Sequence, residues 1–82
     1  MSEIIEYRYE KLPTKGNSDL IRYVRLGDSD EYVMDRCYLH PGGLHALADL
    51  GLSPYADIDF VTQRTSGNKT LSIEAVYKGE NI

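Results

Sequence analysis

Between Pro41 and Gly51 the chain has the periodicity of a helix, and the sequence on both sides of this segment alternates with the period of a β-strand. The apolar residues of this segment recur at helical spacing and would form one stripe: Leu44, Leu47, Ala48 and Leu50. Pro41 suits the first turn of a helix, and Gly51 suits a left-handed residue at its C-terminal end. A helix of only about eight to ten residues needs a sheet to pack against, because short helices are marginal in isolation.

Five stretches have strand character: residues 3–10, 20–26, 31–39, 58–65 and 69–78. A loop is predicted over residues 12–18, because Pro13 cannot donate a ladder hydrogen bond and Asn17 and Ser18 favour turns. The predicted order is β-β-β-α-β-β. It indicates an α+β fold, in which a single antiparallel sheet of about five strands carries one short helix packed on one face. We expect residues 1–82 to form a single small domain, with the second face of the sheet open to solvent or to a partner.

Strict alternation assigns the faces of the third strand. Val33, Cys37 and Leu39 would point into the core, so Cys37 is expected to be a buried, inert thiol. The residues on the polar side of the first and third strands would then form one basic and aromatic face: Arg8, Tyr32, Arg36 and Tyr38. Glu6 and Glu10 lie on the same side of the first strand, and we expect cross-strand pairing between these acids and the arginines.

Composition limits the classes of function. A chain of 82 residues buries a small core, so self-association into a homodimer stays open as a way to cover apolar surface. The net charge of −4 disfavours non-specific binding to nucleic acid, which depends on neutralising phosphates. The N-terminal sequence lacks the pattern of a signal peptide, and no apolar run is long enough to span a membrane, which favours a cytoplasmic protein.

A catalytic or metal site is one alternative, because the only cysteine and both histidines lie close together in the sequence. Cys37, His40, His45 and Asp49 are all zinc-ligand types, and Cys37 with a histidine could form a nucleophilic pair. Their spacing matches neither a closed zinc site nor a known catalytic signature, and the inward position assigned to Cys37 disfavours both. A small metal- or thiol-dependent enzyme centred on Cys37, His40 and His45 is therefore the less favoured hypothesis, and no cofactor is expected.

The favoured hypothesis is a non-enzymatic protein-binding module. Tyrosine and arginine are common anchors of protein interfaces, and the chain has seven tyrosines. Small acidic domains without catalytic motifs are, by compositional analogy, often inhibitors or regulators, many of them from phages and mobile elements. The residues expected to contact a partner comprise the basic and aromatic face and an acidic turn: Arg8, Tyr32, Arg36, Tyr38, Asp28, Asp30 and Glu31.

One variant of this hypothesis and one alternative to it remain open. The acidic turn, together with Asp57 and Asp59, could occupy the basic nucleic-acid channel of a partner by charge complementarity. Alternatively, the Arg/Tyr face could itself bind nucleic acid by stacking bases.

Overall fold

The computed structural model describes residues 3–14, 17–53, 56–67 and 69–77. Its strands are β1 (Ile4–Thr14), β2 (Asn17–Leu26), β3 (Tyr32–Tyr38), β4 (Ile58–Ser66) and β5 (Lys69–Tyr77), and helix α1 (Gly42–Asp49) lies between β3 and β4. The strands form one antiparallel sheet in the order β3-β2-β1-β4-β5. The predicted α+β fold and the order of its elements are confirmed.

The β1–β2 hairpin is longer than the sequence indicates. Pairing continues to Thr14 opposite Asn17, so the loop predicted over 12–18 is wrong except at residues 15 and 16, which lie outside the described residues. Pro13 is tolerated because β4 pairs with β1 only as far as Glu10. Beyond that point β1 has a neighbour on one side only, and proline is compatible with such an edge.

Helix α1 has the predicted length but presents a different stripe to the sheet. Gly43 and Leu47 are buried, and Ala46 and Leu50 pack against the core, whereas Ala48 is exposed. The buried positions follow the i, i+3, i+4, i+7 spacing of one helix face. This face is hard to recognise in the sequence, because Gly43 and Ala46 are small and do not stand out as apolar residues. Gly51 has a φ of +80°, as its position at the end of the helix predicts. The pair Ser53-Pro54 is also typical of the start of a helical turn, but residues 54 and 55 lie outside the described residues.

The core lies between α1 and the sheet. Its buried members come from three strands and the helix: Tyr9, Leu20, Leu47, Ile58 and Val61. Helix α1 lies over β2 and β3. We call this the helix-facing side of the sheet and the other side the open face. Within the described ranges, no helix has the length and apolarity needed to cross a membrane.

A β-bulge divides β3 and changes its faces. Arg36 pairs with Arg22 and Met34 pairs with Tyr23, so Asp35 is an extra residue in β3. An extra residue moves the side chains beyond it to the other face. The predicted common face is therefore wrong: Arg8 and Tyr32 lie on the open face, whereas Arg36 and Tyr38 lie on the helix-facing side.

The same bulge overturns the expected burial of Cys37. Its register partner is Ile21, on the open face, and the residue is exposed instead of buried in the core. We therefore expect Cys37 to react completely with Ellman's reagent in native buffer, at a rate that urea raises only slightly. Thiol absorbance against time, with and without urea, is the measurement. A reaction that occurs only after unfolding would contradict the exposed position.

Candidate partner-binding face

The open face is built around β1, the central strand. Direct pairing across the sheet brings the following residues onto it: Glu6, Arg8, Glu10, Ile21, Tyr23, Arg25, Tyr32, Met34, Cys37, Phe60, Thr62, Arg64, Ser72, Glu74 and Val76. In register, Arg25 and Arg64 flank Glu6 on the two neighbouring strands, and Tyr23 and Thr62 flank Arg8. This arrangement places one acid and one base of β1 at the centre of the face.

Glu6 is only 6% exposed although it lies on an open sheet face. Its Oε1 accepts hydrogen bonds from Arg25 Nε (2.6 Å) and from the Tyr32 hydroxyl (2.8 Å). Its Oε2 accepts one from Arg64 Nε (3.0 Å), and Arg64 Nη1 donates to Glu74 Oε2 (2.9 Å). We call these five residues the Glu6 cluster. Glu6 thus forms cross-strand pairs with arginines as expected, but its partners are Arg25 and Arg64 instead of Arg8 and Arg36.

The electrostatics of the cluster keep Glu6 ionised. Burial raises the pKa of Glu6, but the hydrogen bonds from Tyr32, Arg25 and Arg64 outweigh it and lower this pKa to about 2. The same contacts raise the pKa of Arg25 and Arg64, because both guanidinium groups donate to the Glu6 carboxylate. Burial and the hydrogen bond to Glu6 raise the pKa of Tyr32. The cluster therefore fixes two arginines and one tyrosine around a single charge.

Arg8 differs from these arginines because it forms no ion pair with a described residue. Its Cζ lies 4.0 Å from the ring centroid of Phe60 and 5.6 Å from that of Tyr32. Both distances are within the range of cation–π attraction. The Glu6 cluster supports this arrangement indirectly, since the hydroxyl of Tyr32 is bound by Glu6 while its ring lies beside Arg8. Two aromatic rings thus hold a guanidinium in place while its charge lacks a carboxylate partner.

The pocket beside Arg8 is small. Arg8, Glu10, Tyr23 and Tyr32 line a depression of about 230 Å³. Small-molecule sites usually span about 300–1,000 Å³, so this one is better matched to a single side chain of a partner than to a whole ligand. Met34, on the same face, is 66% exposed and adds apolar surface near the pocket.

The other sequence-predicted residues lie elsewhere. Asp28, Asp30 and Glu31 are exposed in the turn between β2 and β3, at the end of the sheet where Ile4 pairs with Leu26. Asp57 and Asp59 lie at the start of β4, beyond the pairing of Phe60 with Glu10. The six residue steps from Ile4 to Glu10 correspond to roughly 20 Å of strand. The structure therefore does not unite the acidic residues in one patch.

The residues proposed for a metal or thiol site are also separated. Cys37 is on the open face, whereas His45 and Asp49 are exposed on α1, which lies over the opposite side of the sheet. The backbone N–H of His40 donates to Asp19 Oδ1 (2.7 Å). In the part of the chain that the structure describes, no three His, Cys, Asp or Glu side chains converge on a possible metal position.

Sequence reasoning missed Phe60 as a member of the face. In β4, strict alternation would place Phe60 on the same side as Ile58. The register shift between these residues makes Asp59 an extra residue, so Ile58 enters the core while Phe60 reaches Arg8. The sequence contains no separate signal for this, because a bulge depends on how the two strands align.

Comparisons with protein-family models, with curated proteins and with solved structures find no match to this chain.

Proposed function

We propose that this protein is a non-enzymatic protein-binding module whose open face holds an acidic segment of a partner protein. Arg8 would bind a partner carboxylate in the pocket that it shares with Tyr23 and Tyr32. Such a module acts as an inhibitor or regulator by occupying a surface of its partner, without turning over a substrate. The observation that carries the proposal is the guanidinium of Arg8, held between two rings and without an ion pair among the described residues.

The surroundings of Arg8 favour a protein partner. Arginine and tyrosine are enriched among the residues that dominate interface energetics, and a side chain already fixed in place loses little entropy on binding. Arg25 and Arg64 are already paired with Glu6, whereas Arg8 forms no ion pair with a described residue and its guanidinium can donate to a partner carboxylate. Exposed Met34 and Val76 supply apolar contacts around it. The complementary partner segment therefore presents one carboxylate flanked by apolar side chains.

The charge of the face disfavours nucleic acid. Glu6, Glu10 and Glu74 balance its three arginines, and the chain carries a net charge of −4. Affinity for a phosphate backbone increases with the number of phosphates that lysine and arginine neutralise. Arg8, which has no ion pair in the described part of the chain and lies beside Glu10, supplies little of this attraction. It suffices for a specific contact with one carboxylate.

The test compares proteins captured by immobilised wild type, Arg8→Ala and Arg36→Ala from a lysate of the source organism. Arg36 is the matched control, because it is exposed and also lies near an aromatic ring, that of Tyr38, but on the helix-facing side. We expect at least one protein that wild type and Arg36→Ala retain and that Arg8→Ala loses by about tenfold or more, since a central arginine anchor contributes over about 1.4 kcal/mol. Quantitative mass spectrometry measures the loss.

Circular dichroism of each variant confirms that the fold is intact before capture. The proposal is wrong if Arg8→Ala retains the same proteins in the same amounts as wild type. A labelled single-stranded RNA that binds wild type at low salt, but binds Arg8→Ala more weakly, would support the nucleic-acid hypothesis instead.

A further inference from the structure

We propose that two copies of this chain pair through β5, one of the two edge strands of the sheet, to form a symmetric dimer with one continuous sheet. This inference rests on different observations from the function proposed for Arg8, because it concerns the backbone edge of β5, whereas that function concerns the open face around β1. The partner is a second copy of the chain itself.

The first argument is that β5 exposes apolar side chains along an unpaired edge. It spans nine residues, Lys69–Tyr77, and among the described residues it pairs with β4 alone. Leu71 is 65% exposed and Ile73 is 44% exposed. Ile73 pairs with Gln63 and so lies on the helix-facing side, at a part of the sheet where α1, which lies over β2 and β3, gives no cover. A long apolar edge with free backbone groups is a template for pairing with another strand.

The second argument is the contrast between the two edges of the sheet. β3 carries Asp35 and Arg36 in its middle and has a bulge there, and α1 packs against it. Charges, bulges and a covering helix are the usual protections of an edge strand. From Thr70 to Val76, β5 has one charged residue, Glu74, and its carboxylate accepts a hydrogen bond from Arg64. The bulge of β5 lies near its start, between Thr70 and Ser72. Only β3 is protected in its middle.

The third argument is that β5 is complementary to itself. In an antiparallel pair centred on Ile73, each Ile73 faces its copy and each Leu71 faces Ala75 of the other chain. Glu74 faces Ser72, so the two carboxylates do not oppose each other. A two-fold contact of this kind uses the same residues on both subunits and closes after two copies. Strand pairing with few apolar side chains buries little area, so we expect a dimer that dissociates on the order of micromolar concentrations.

The test is sedimentation velocity over a concentration series from about 1 to 300 µM, which brackets the expected micromolar dissociation. Wild type should shift from monomer to dimer with rising concentration. Ile73→Lys should stay monomeric over the whole series, because the two lysines would face each other across the pair and like charges in that position oppose edge pairing. Val33→Lys is the matched control: Val33 is also a β-branched edge residue on the helix-facing side and is 53% exposed, but it lies on β3. This variant should dimerise like wild type.

The salt dependence of association and site-specific disulfide crosslinking distinguish a dimer formed through β5 from association through another surface. Each copy has a net charge of −4, so screening should strengthen the dimer, whereas binding of an acidic partner to Arg8 should weaken with salt. Directly opposed residues have Cβ atoms about 4.5–5.5 Å apart, so Ile73→Cys in a Cys37→Ser background should form a disulfide-linked dimer on mild oxidation. Val33→Cys in that background should not.

Any of three results would overturn the inference. Wild type could remain monomeric up to the highest concentration, Ile73→Lys could dimerise as well as wild type, or Val33→Lys could abolish the dimer. Each variant is checked by circular dichroism. If Ile73→Lys is unfolded, the crosslinking comparison decides instead, and equal crosslinking through positions 33 and 73 would count against β5.

Discussion

Replacing Leu47 by alanine is expected to lower the free energy of unfolding by about 3 kcal/mol, within the range of about 2–5 kcal/mol known for buried leucines. Leu47 is 0% exposed and joins α1 to a core formed with Tyr9, Leu20, Ile58 and Val61. A core of this size rarely supplies more than about 3–5 kcal/mol in total. We therefore expect Leu47→Ala to be largely unfolded at 37 °C.

Urea titration followed by far-UV circular dichroism measures this effect, since the chain has no tryptophan to report unfolding. The matched control is Leu39→Ala, the same change of side chain at an exposed position just before α1, which should cost less than about 0.5 kcal/mol. Both variants are compared at one low protein concentration, because dimer formation would add stability. Equal midpoints for the two variants would mean that the helix does not pack as described.

The order of the elements could be predicted because each strand carries its own signal. In β1, Tyr7 and Tyr9 alternate with Glu6 and Arg8, and the structure places the tyrosines toward the core and the charged residues on the open face. Gly51 likewise marks the end of α1 through its own conformational freedom. These predictions depend on local sequence and on a period that the backbone imposes.

The faces of β3 and β4 could not be predicted, because they depend on pairing between distant residues. Asp35 and Asp59 are each an extra residue opposite a neighbouring strand, and each reverses the side chains that follow. Two consequences were the wrong placement of Tyr38 and the omission of Phe60 from the candidate site. A single sequence shows the period of a strand, but the register between strands is decided by the packing of the whole sheet.

Glu6 illustrates a further limit. The sequence predicts that it lies on the polar side of β1 and pairs with arginines, which is correct. The burial of Glu6 is not predictable from the sequence. Glutamate is almost never buried unless it is paired, and the partners of Glu6 come from three other strands, β2, β3 and β4. Only the assembled sheet brings Arg25, Tyr32 and Arg64 to the same carboxylate.

The acid stability of the protein should depend on Glu6. Its pKa falls from 4.5 to about 2 on folding, so the folded state binds the proton less tightly than the unfolded state. A carboxyl group with a lowered pKa in the folded state stabilises the protein above its unfolded pKa. That contribution, about 3 kcal/mol at neutral pH, decreases as the pH falls from about 5 toward 2.

Glu6→Gln isolates this contribution, because glutamine has nearly the shape of a protonated glutamate. We expect Glu6→Gln to be less stable than wild type by about 2–3 kcal/mol at pH 7. This difference should shrink steadily toward pH 2.5, because the unfolded wild type binds a proton at Glu6 before the folded protein does. Urea titrations across this pH range give the two curves. Glu31→Gln, at an exposed turn position, leaves Glu6 in place and should keep the acid sensitivity of wild type. If the wild-type and Glu6→Gln curves stay parallel from pH 7 to 2.5, the carboxylate does not stabilise the folded protein through Arg25, Tyr32 and Arg64. In that case the argument that Glu6 holds the Tyr32 ring beside Arg8 would also fail.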